Sequence, residues 1–261
     1  MQQPLFHALA CVLLALFMGL SCWAADLTAD QVRERLARVD RGNPVDFAGK
    51  DLSDLDLSNV DFARADLSGA NLFATRLVSS NLAGAKLMRA NLNGAWLMGA
   101  TLAGADLSGS SMMSLVILGG PVKEKPNFAG ANLSGVRMIA ELAGANLRGA
   151  NLSGAKLGVD IKNQGMGQMR TDLSGANLAG ANLSYADMNR SLLMFADLKG
   201  ADLRGANLYR VNLSGADLTG ANIADADFTE ADLDGTVFRS VKGMDATKGM
   251  DRATNRDRAI Y

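Results

Sequence analysis

The sequence predicts an all-β solenoid preceded by one short α-helix. Three features of the repeat support this: an apolar residue recurs every five residues from Phe47, a small residue stands two places before it, and Asp or Asn usually stands directly before it. Between Phe47 and Phe238 there are 36 such apolar centres, 26 of them Leu. A helix would turn successive centres by about 140°, and a strand would send every second one to the other face. A coil that turns a corner once every five residues keeps every centre inside.

The repeats also carry a family resemblance. Units such as Ala65 to Gly69 (ADLSG) and Ala201 to Gly205 (ADLRG) resemble the pentapeptide-repeat family, and the likeness covers roughly residues 43–240. This resemblance implies a right-handed quadrilateral β-helix with four units per coil. Thirty-six units would then make about nine coils.

The repeat register breaks at three places. Extra residues near 118–127 and 158–170 predict two insertions, and one residue is missing between Met138 and Leu142, which predicts a tightened corner. Insertions in repeat proteins leave the stack as surface loops, where function is often carried. Tolerated irregularity is the equally weighted alternative.

The Asp and Asn residues before the centres have two interpretations. They can form a hydrogen-bonded ladder that satisfies the turns, or they can form a row of cation ligands. We favour the structural ladder, because neutral Asn alternates with Asp at this position.

Residues 1–24 predict a secretory signal peptide. An apolar run from Ala8 to Leu20 is followed by small residues, with a cleavage site near Ala24. The expected location is periplasmic or secreted, in a bacterium. Acylation of Cys22 would instead give a lipoprotein, and the lack of Lys or Arg before the apolar run leaves an uncleaved membrane anchor as a further alternative.

Removal of this leader would leave little catalytic chemistry. Cys11, Cys22 and His7 all lie within it, so the mature chain has no thiol and no imidazole. Disulfides, Ser-His-Asp or Cys-His nucleophiles and imidazole or thiolate metal sites are excluded from such a chain. We therefore expect a protein that is not an enzyme and that holds no cofactor and no metal.

Both ends of the solenoid are predicted to be covered. Residues 25–42 are predicted to form an N-terminal capping helix, with Thr28 and Gln31 as a capping box and Val32 on the apolar face. Residues 241–261 change to a six-residue spacing and predict a C-terminal cap, with an unstructured basic tail as the alternative. Met244, Met250 and Ile260 are the residues expected to close that end.

One surface patch is unusually apolar. If residues twenty apart stack, several outward positions beside Leu77, Leu97 and Ile117 are apolar rather than Ser, Asn or Asp. The patch comprises Phe73, Val78, Trp96, Met98, Met113, Val116 and Leu118. It predicts either a partner contact or a surface covered by the chain's own insertion at residues 118–127.

The leading functional hypothesis is a non-enzymatic, exported scaffold for protein–protein interaction. A protein partner is expected and a second copy of the chain is an alternative, whereas nucleic acid is not expected. Membrane attachment is expected only if Cys22 is acylated or the leader is uncleaved. The family resemblance offers another function, a DNA mimic that modulates DNA gyrase like the quinolone-resistance members. A net charge of −1 and the predicted export disfavour it.

Overall fold

The computed structural model describes residues 25–38, 44–117, 124–159 and 170–261. The predicted signal peptide, with Cys22, lies outside the described residues. So do Leu118 of the apolar patch, most of both insertions and the last residues of the predicted capping helix.

Each five-residue unit has the same local structure. In the unit Ala65 to Gly69, Ala65 and Leu67 are buried, and the intervening Asp66 points outward in a parallel bridge. Ser68 and Gly69 form the corner, which is closed by a 3.0 Å hydrogen bond from the Ala70 N–H to the Leu67 carbonyl. Gly69 has a φ of 66°, a left-handed conformation that Gly adopts without steric cost. The pattern of small, outward and apolar residues therefore follows directly from the corner geometry.

Successive coils stack through four parallel ladders. Asp46 pairs with Asp66, and Asp51, Asp56 and Asp61 each start a different ladder, so that the chain returns to the first ladder after twenty residues. The ladder used most below is called the Trp96 ladder. Its members in the described chain are Asp56, Arg76, Trp96, Val116, Glu141, Asp172, Leu192, Asn212, Asp232 and Thr254.

The three register breaks appear as changed offsets along the ladders. Thr101 pairs with Asn127, an offset of 26 rather than 20, so six residues leave the stack. Asn127 pairs with Asn146 at an offset of 19, which matches the loss of one residue after Met138. Asn146 pairs with Asn177 at an offset of 31, so eleven residues leave the stack there. The coils continue in register on both sides of every break.

Two three-residue strands lie at the first break. Strand β1 (Ser111–Met113) pairs in parallel with β2 (Arg137–Ile139), with Met112 opposite Met138. The rest of the stack is held by single-residue bridges, because each side of a coil is only about two extended residues long. The core is a column of Leu and Ala side chains with almost no exposed surface.

The helix α1 (Ala29–Ala37) lies over the first coil. Its capping box is confirmed: the Gln31 N–H donates to the Thr28 hydroxyl and the Thr28 N–H donates to the Gln31 side chain. Val32 is fully buried and joins the core. Before the helix, the Asp26 N–H donates to the Asp51 carbonyl at 2.8 Å, and the Asp51 N–H donates to the Asp26 carboxylate at 2.9 Å. The segment before α1 thus occupies the place of a preceding coil on one side.

The C-terminal coil uses six-residue sides. Lys242, Lys248, Thr254 and Ile260 pair with the coil before them, and three 3₁₀ helices turn the corners between them. These helices span Met244–Ala246, Met250–Arg252 and Arg256–Arg258. Met250 is nearly buried and Met244 packs partly against the core. Ile260 does not close the end as expected; it occupies an outward ladder position and is 42% exposed, while Tyr261 stacks on Phe238 at 5.6 Å.

Candidate protein-interaction face

The outward Asp and Asn side chains form hydrogen bonds within the solenoid. The Asp51 carboxylate accepts the Ser53 N–H and hydroxyl, and the Asn71 amide donates to it from the next coil at 3.0 Å. Burial raises the pKa of Asp51, but these hydrogen bonds outweigh burial and hold its pKa below 3.8. Such side chains satisfy turns and join coils, which is the structural interpretation favoured from the sequence. Within the described parts of the chain, no group of three or more His, Cys, Asp or Glu side chains could hold a metal ion.

The structure brings most of the sequence-predicted patch to one face. Two of its residues, Trp96 and Val116, are members of the Trp96 ladder, and Val78 and Met98 stand two residues after ladder members. We call this side of the rod the Trp96 face. Phe73 and Met113 lie on the neighbouring side of the rod. There the Ala74 N–H, next to Phe73, donates to the Asn93 carbonyl, and the Gly94 N–H donates to the Met113 carbonyl. Phe73 is 48% exposed, whereas Val78, Trp96, Met113 and Val116 are half-buried.

Met98 does not lie on the exposed surface. It retains 3% of its accessible area, and the chain returning from the first insertion passes beside it, where the Gly99 N–H donates to the Glu124 carbonyl at 2.8 Å. Met98 is therefore removed from the set of exposed contact residues. Here the chain covers its own patch.

Trp96 is held by electrostatic contacts that reach back to helix α1. The Arg76 guanidinium lies 4.6 Å from the centre of the Trp96 ring and 3.6 Å from the Asp56 carboxylate. Arg33 of α1 donates to the Asp56 carbonyl at 2.8 Å. At exposed sites a cation–π contact of this kind is worth about 0.5–1 kcal/mol. The indole is thus oriented on the face rather than free to rotate.

Three further apolar residues belong to this face and were not found from the sequence. Leu192 is a member of the Trp96 ladder, and Met194 and Phe195 follow it on the same side. Phe195 is 73% exposed. The sequence carried one signal that could have found them, because Leu192 stands directly before a centre, where Asp or Asn is usual. Placing them on the same face as Val116 also requires the ladder offsets across both insertions.

A cavity of 640 Å³ opens between the two halves of the apolar face. Its apolar wall includes Leu115, Ile117, Ile139 and Leu192, and Glu141, Arg170 and Asp172 add charge. Both insertions leave the stack beside it, one after Ile117 and the other before Arg170. The cavity size lies within the range of ordinary ligand sites.

Comparison with known proteins places the fold in a family. The family model for pentapeptide repeats matches in eight copies. Its matches cover residues 45–72, 65–104, 75–112, 127–158, 171–210 and 206–242. The chain belongs to the pentapeptide-repeat family. Its fold is accordingly a repeat solenoid. No curated protein matches the chain.

Three solved pentapeptide-repeat proteins are similar to between 47% and 90% of the chain. HetL, from the cyanobacterium Nostoc sp. strain PCC 7120, is described as involved in heterocyst differentiation regulation; it is 31% identical over 90% of this chain and 94% of its own, with a TM-score of 0.43. Rfr23 from Cyanothece 51142 is 28% identical over 47% of this chain and 90% of its own, with a TM-score of 0.26. QnrB1, a plasmid-mediated fluoroquinolone resistance protein, is 17% identical over 82% of this chain and 95% of its own, with a TM-score of 0.31.

Among the helices of the described chain, none is both long enough and apolar enough to cross a membrane.

Proposed function

We propose that this pentapeptide-repeat protein is a non-enzymatic, exported scaffold that binds another protein through its Trp96 face. One observation carries the proposal: outward positions of this face are apolar on both sides of the cavity, from Trp96 and Val116 to Leu192 and Phe195. Large exposed apolar patches on soluble proteins mark interaction sites. The rod that presents the face is proposed to be a right-handed square β-helix of about nine coils.

The chemistry of the other ladders supports a scaffold rather than an enzyme. Catalytic carboxylates need to be paired with a reacting group and tuned in pKa. The Asp and Asn side chains of the ladders bond instead to their own turns and to the next coil, as Asp61 does with Ala63 and Asn81. Protein is accordingly the proposed partner class, with a second copy of the chain as the alternative.

In-cell photo-crosslinking tests the interaction. A photoreactive amino acid is placed at Val116 or Leu192, and the matched control is Ser108, which lies in the same coil as Val116 on the opposite side. We expect the two face positions to crosslink to the same protein, identified by mass spectrometry, and Ser108 not to do so. Equal crosslinking from Ser108, or none from either face position, would contradict the proposal.

Export is tested by the mass of the protein recovered from fractionated cells. The proposal expects a periplasmic or secreted chain that begins at Ala25. A lipid-modified Cys22 would make the protein a membrane-attached lipoprotein, and an intact leader in the cytosol would remove export from the proposal.

A supercoiling assay with DNA gyrase and a fluoroquinolone tests the alternative of a gyrase modulator. Polyanion mimicry requires continuous negative charge, whereas basic, neutral and apolar residues such as Arg76, Trp96 and Leu192 interrupt the acids of the Trp96 ladder. We expect no protection of gyrase from the drug. Protection at stoichiometric protein would replace the scaffold proposal.

A further inference from the structure

Within the described residues, the four ladders contain a single missing rung. Every outward ladder residue pairs with its neighbours in the coils before and after it, except where the first or last coil ends a ladder and between Val116 and Glu141. Val116 pairs only with Trp96, and Glu141 pairs only with Asp172. The same two coils do pair on both adjacent sides, through Met113 with Ile139 and through Asn127 with Asn146. The interruption is therefore confined to the Trp96 face.

The missing rung leaves main-chain groups that form no hydrogen bond with another described residue. In the preceding rung, the Leu97 N–H donates to the Val116 carbonyl and the Val116 N–H donates to the Ala95 carbonyl. The equivalent bonds, from Ile117 to Glu141 and from Glu141 to Leu115, are not formed in the described structure. Among the residues that the structure describes, each of the two coils thus presents one N–H and one carbonyl without a main-chain partner. Unpaired strand edges of this kind are templates for pairing with another chain.

These main-chain groups border the 640 Å³ cavity described above. Leu115, Ile117 and Ile139 form the apolar wall, so a bound segment can bury side chains while its own main chain reaches the open edge. Extended peptides that add to a sheet edge use this combination: main-chain hydrogen bonds give affinity and side-chain pockets give specificity.

The charges of the cavity indicate the composition of the segment. Glu141 and Asp172 supply two carboxylates and Arg170 supplies one guanidinium, so the lining carries a net charge of −1. No ion pair joins Glu141 to another residue in the part of the chain that the structure describes. A cationic side chain on the bound segment would complement this wall.

We propose that the missing rung between Val116 and Glu141 is a strand-addition site that binds an extended apolar segment carrying Lys or Arg, supplied by a partner protein. This inference rests on the proposed scaffold function and names the site and the class of partner segment. The apolar residues beyond the cavity, Trp96 on one side and Phe195 on the other, flank the bound segment.

Peptide titration tests the site directly. The probe is a synthetic acetylated and amidated pentapeptide, Lys-Val-Ile-Val-Lys, added to the full chain with Trp23→Phe, which leaves Trp96 as the single indole. We expect saturable binding with a change in Trp96 fluorescence. The same peptide with N-methylated central amides should bind at least tenfold more weakly, because it lacks the main-chain donors. A version with Asp in place of both Lys should also bind more weakly, because it repels Glu141 and Asp172.

Matched variants locate the binding site. Leu192→Ser, in the cavity wall, should weaken binding at least fivefold. The matched control is Met88→Ser, an exposed residue after the ladder on the opposite side of the rod, which should leave binding unchanged. Glu141→Lys should reverse the preference between the Lys and Asp peptides without removing the apolar wall. Circular dichroism spectra matching the parent show that each variant retains the fold.

Several outcomes would overturn the inference. Equal affinity for the N-methylated peptide would remove strand addition, and unchanged affinity in both Leu192→Ser and Glu141→Lys would place the peptide elsewhere. A dimer in sedimentation that disappears in Leu192→Ser would assign the open edge to a second copy. Crosslinking through Val116 in cells with no peptide binding would leave the scaffold function standing and reject this site. Peptide binding with no crosslinked partner would retain the site and reject the function.

Discussion

The ring of Tyr185 lies over Gly205, its counterpart one coil further along the rod. A Cβ atom built on Gly205 would lie 2.7 Å from two carbons of that ring. Both residues occupy the corner position of their units, with φ of 57° and 64°. Phe195 and Gly215 repeat the arrangement at another corner. An aromatic ring at these two corners therefore extends along the rod over a residue without a Cβ in the next coil.

Gly205→Ala is expected to destabilise the solenoid more than the same change at an open corner. The matched control is Gly220→Ala, where φ is 70° and no atom lies within 4 Å of the added Cβ. Both variants incur about 1–2 kcal/mol because Ala must adopt the left-handed conformation. Only Gly205→Ala must also displace Tyr185. Urea unfolding measures both losses, and in a Tyr185→Ala background the excess at position 205 should vanish. An excess that persists without the ring would contradict the contact.

A large side chain is expected to be tolerated on the outside of the coil and to destabilise the fold when it points inside. Ala65 is 1% exposed in the core column, whereas Ala63, two residues earlier, is exposed on the surface. Ala65→Phe should lower the free energy of unfolding by about 1–3 kcal/mol through overpacking. Ala63→Phe should change it by less than about 0.5 kcal/mol. Phe73 already occupies the equivalent outward position of a unit. Equal losses in the two variants would contradict the assignment of inward and outward positions.

The fold was predictable because its sequence signal is local and repeated. Each unit must place a small residue and an apolar residue inside and turn a corner near Gly69 or its counterparts, so the period alone determines which side chains are buried. The capping box at Thr28 and Gln31 was predictable for the same reason, since both partners lie within one helical turn. The exposed position of Ile260 was not predictable from the five-residue period, because the last coil has six-residue sides.

The candidate site was predictable only in part. Trp96 and Val116 could be stacked from the regular twenty-residue offset, which holds before the first insertion. Leu192 and Phe195 reach the same face only after offsets of 26, 19 and 31 residues have been resolved. The burial of Met98 depends on where residue Glu124 returns to the stack. The missing rung depends on the spacing between two coils, which no single unit encodes.

Loss of the helix cap is expected to loosen the first coil. In Thr28→Ala, the Gln31 N–H loses its acceptor, and such substitutions cost about 1 kcal/mol. Hydrogen exchange of the Val32 amide, which bonds to the Thr28 carbonyl, should accelerate about fivefold. Thr28→Ser retains the hydroxyl and should exchange like the parent. Exchange at Leu203, deep in the stack, should not change in either variant; acceleration there would mean that the cap controls the whole rod.

The ladder carboxylate of Asp217 is expected to make folding stability depend on pH in the acid range. Burial raises its pKa, but hydrogen bonds from Thr219 and the Lys199 ammonium 3.1 Å away outweigh burial and hold its pKa below 3.8. Because the unfolded chain binds this proton more readily, the stabilisation is complete well above pH 3.8 and is lost as pH falls through the lower folded value. The same contact raises the pKa of Lys199.

Asp217→Asn tests this dependence. The variant should unfold at lower urea concentration than the parent at pH 7, and the difference should shrink as the pH is lowered below 3.8, because the parent carboxylate then takes up its proton. The control is Asn177→Ala, a neutral side chain of the same ladder that accepts the Ala179 N–H, and its cost in stability should be the same at both ends of the pH range. A difference between Asp217→Asn and the parent that persists undiminished at pH 2 would mean that the side chain stabilises the ladder by packing and hydrogen bonding alone, because a neutral Asp would then be worth as much as a charged one.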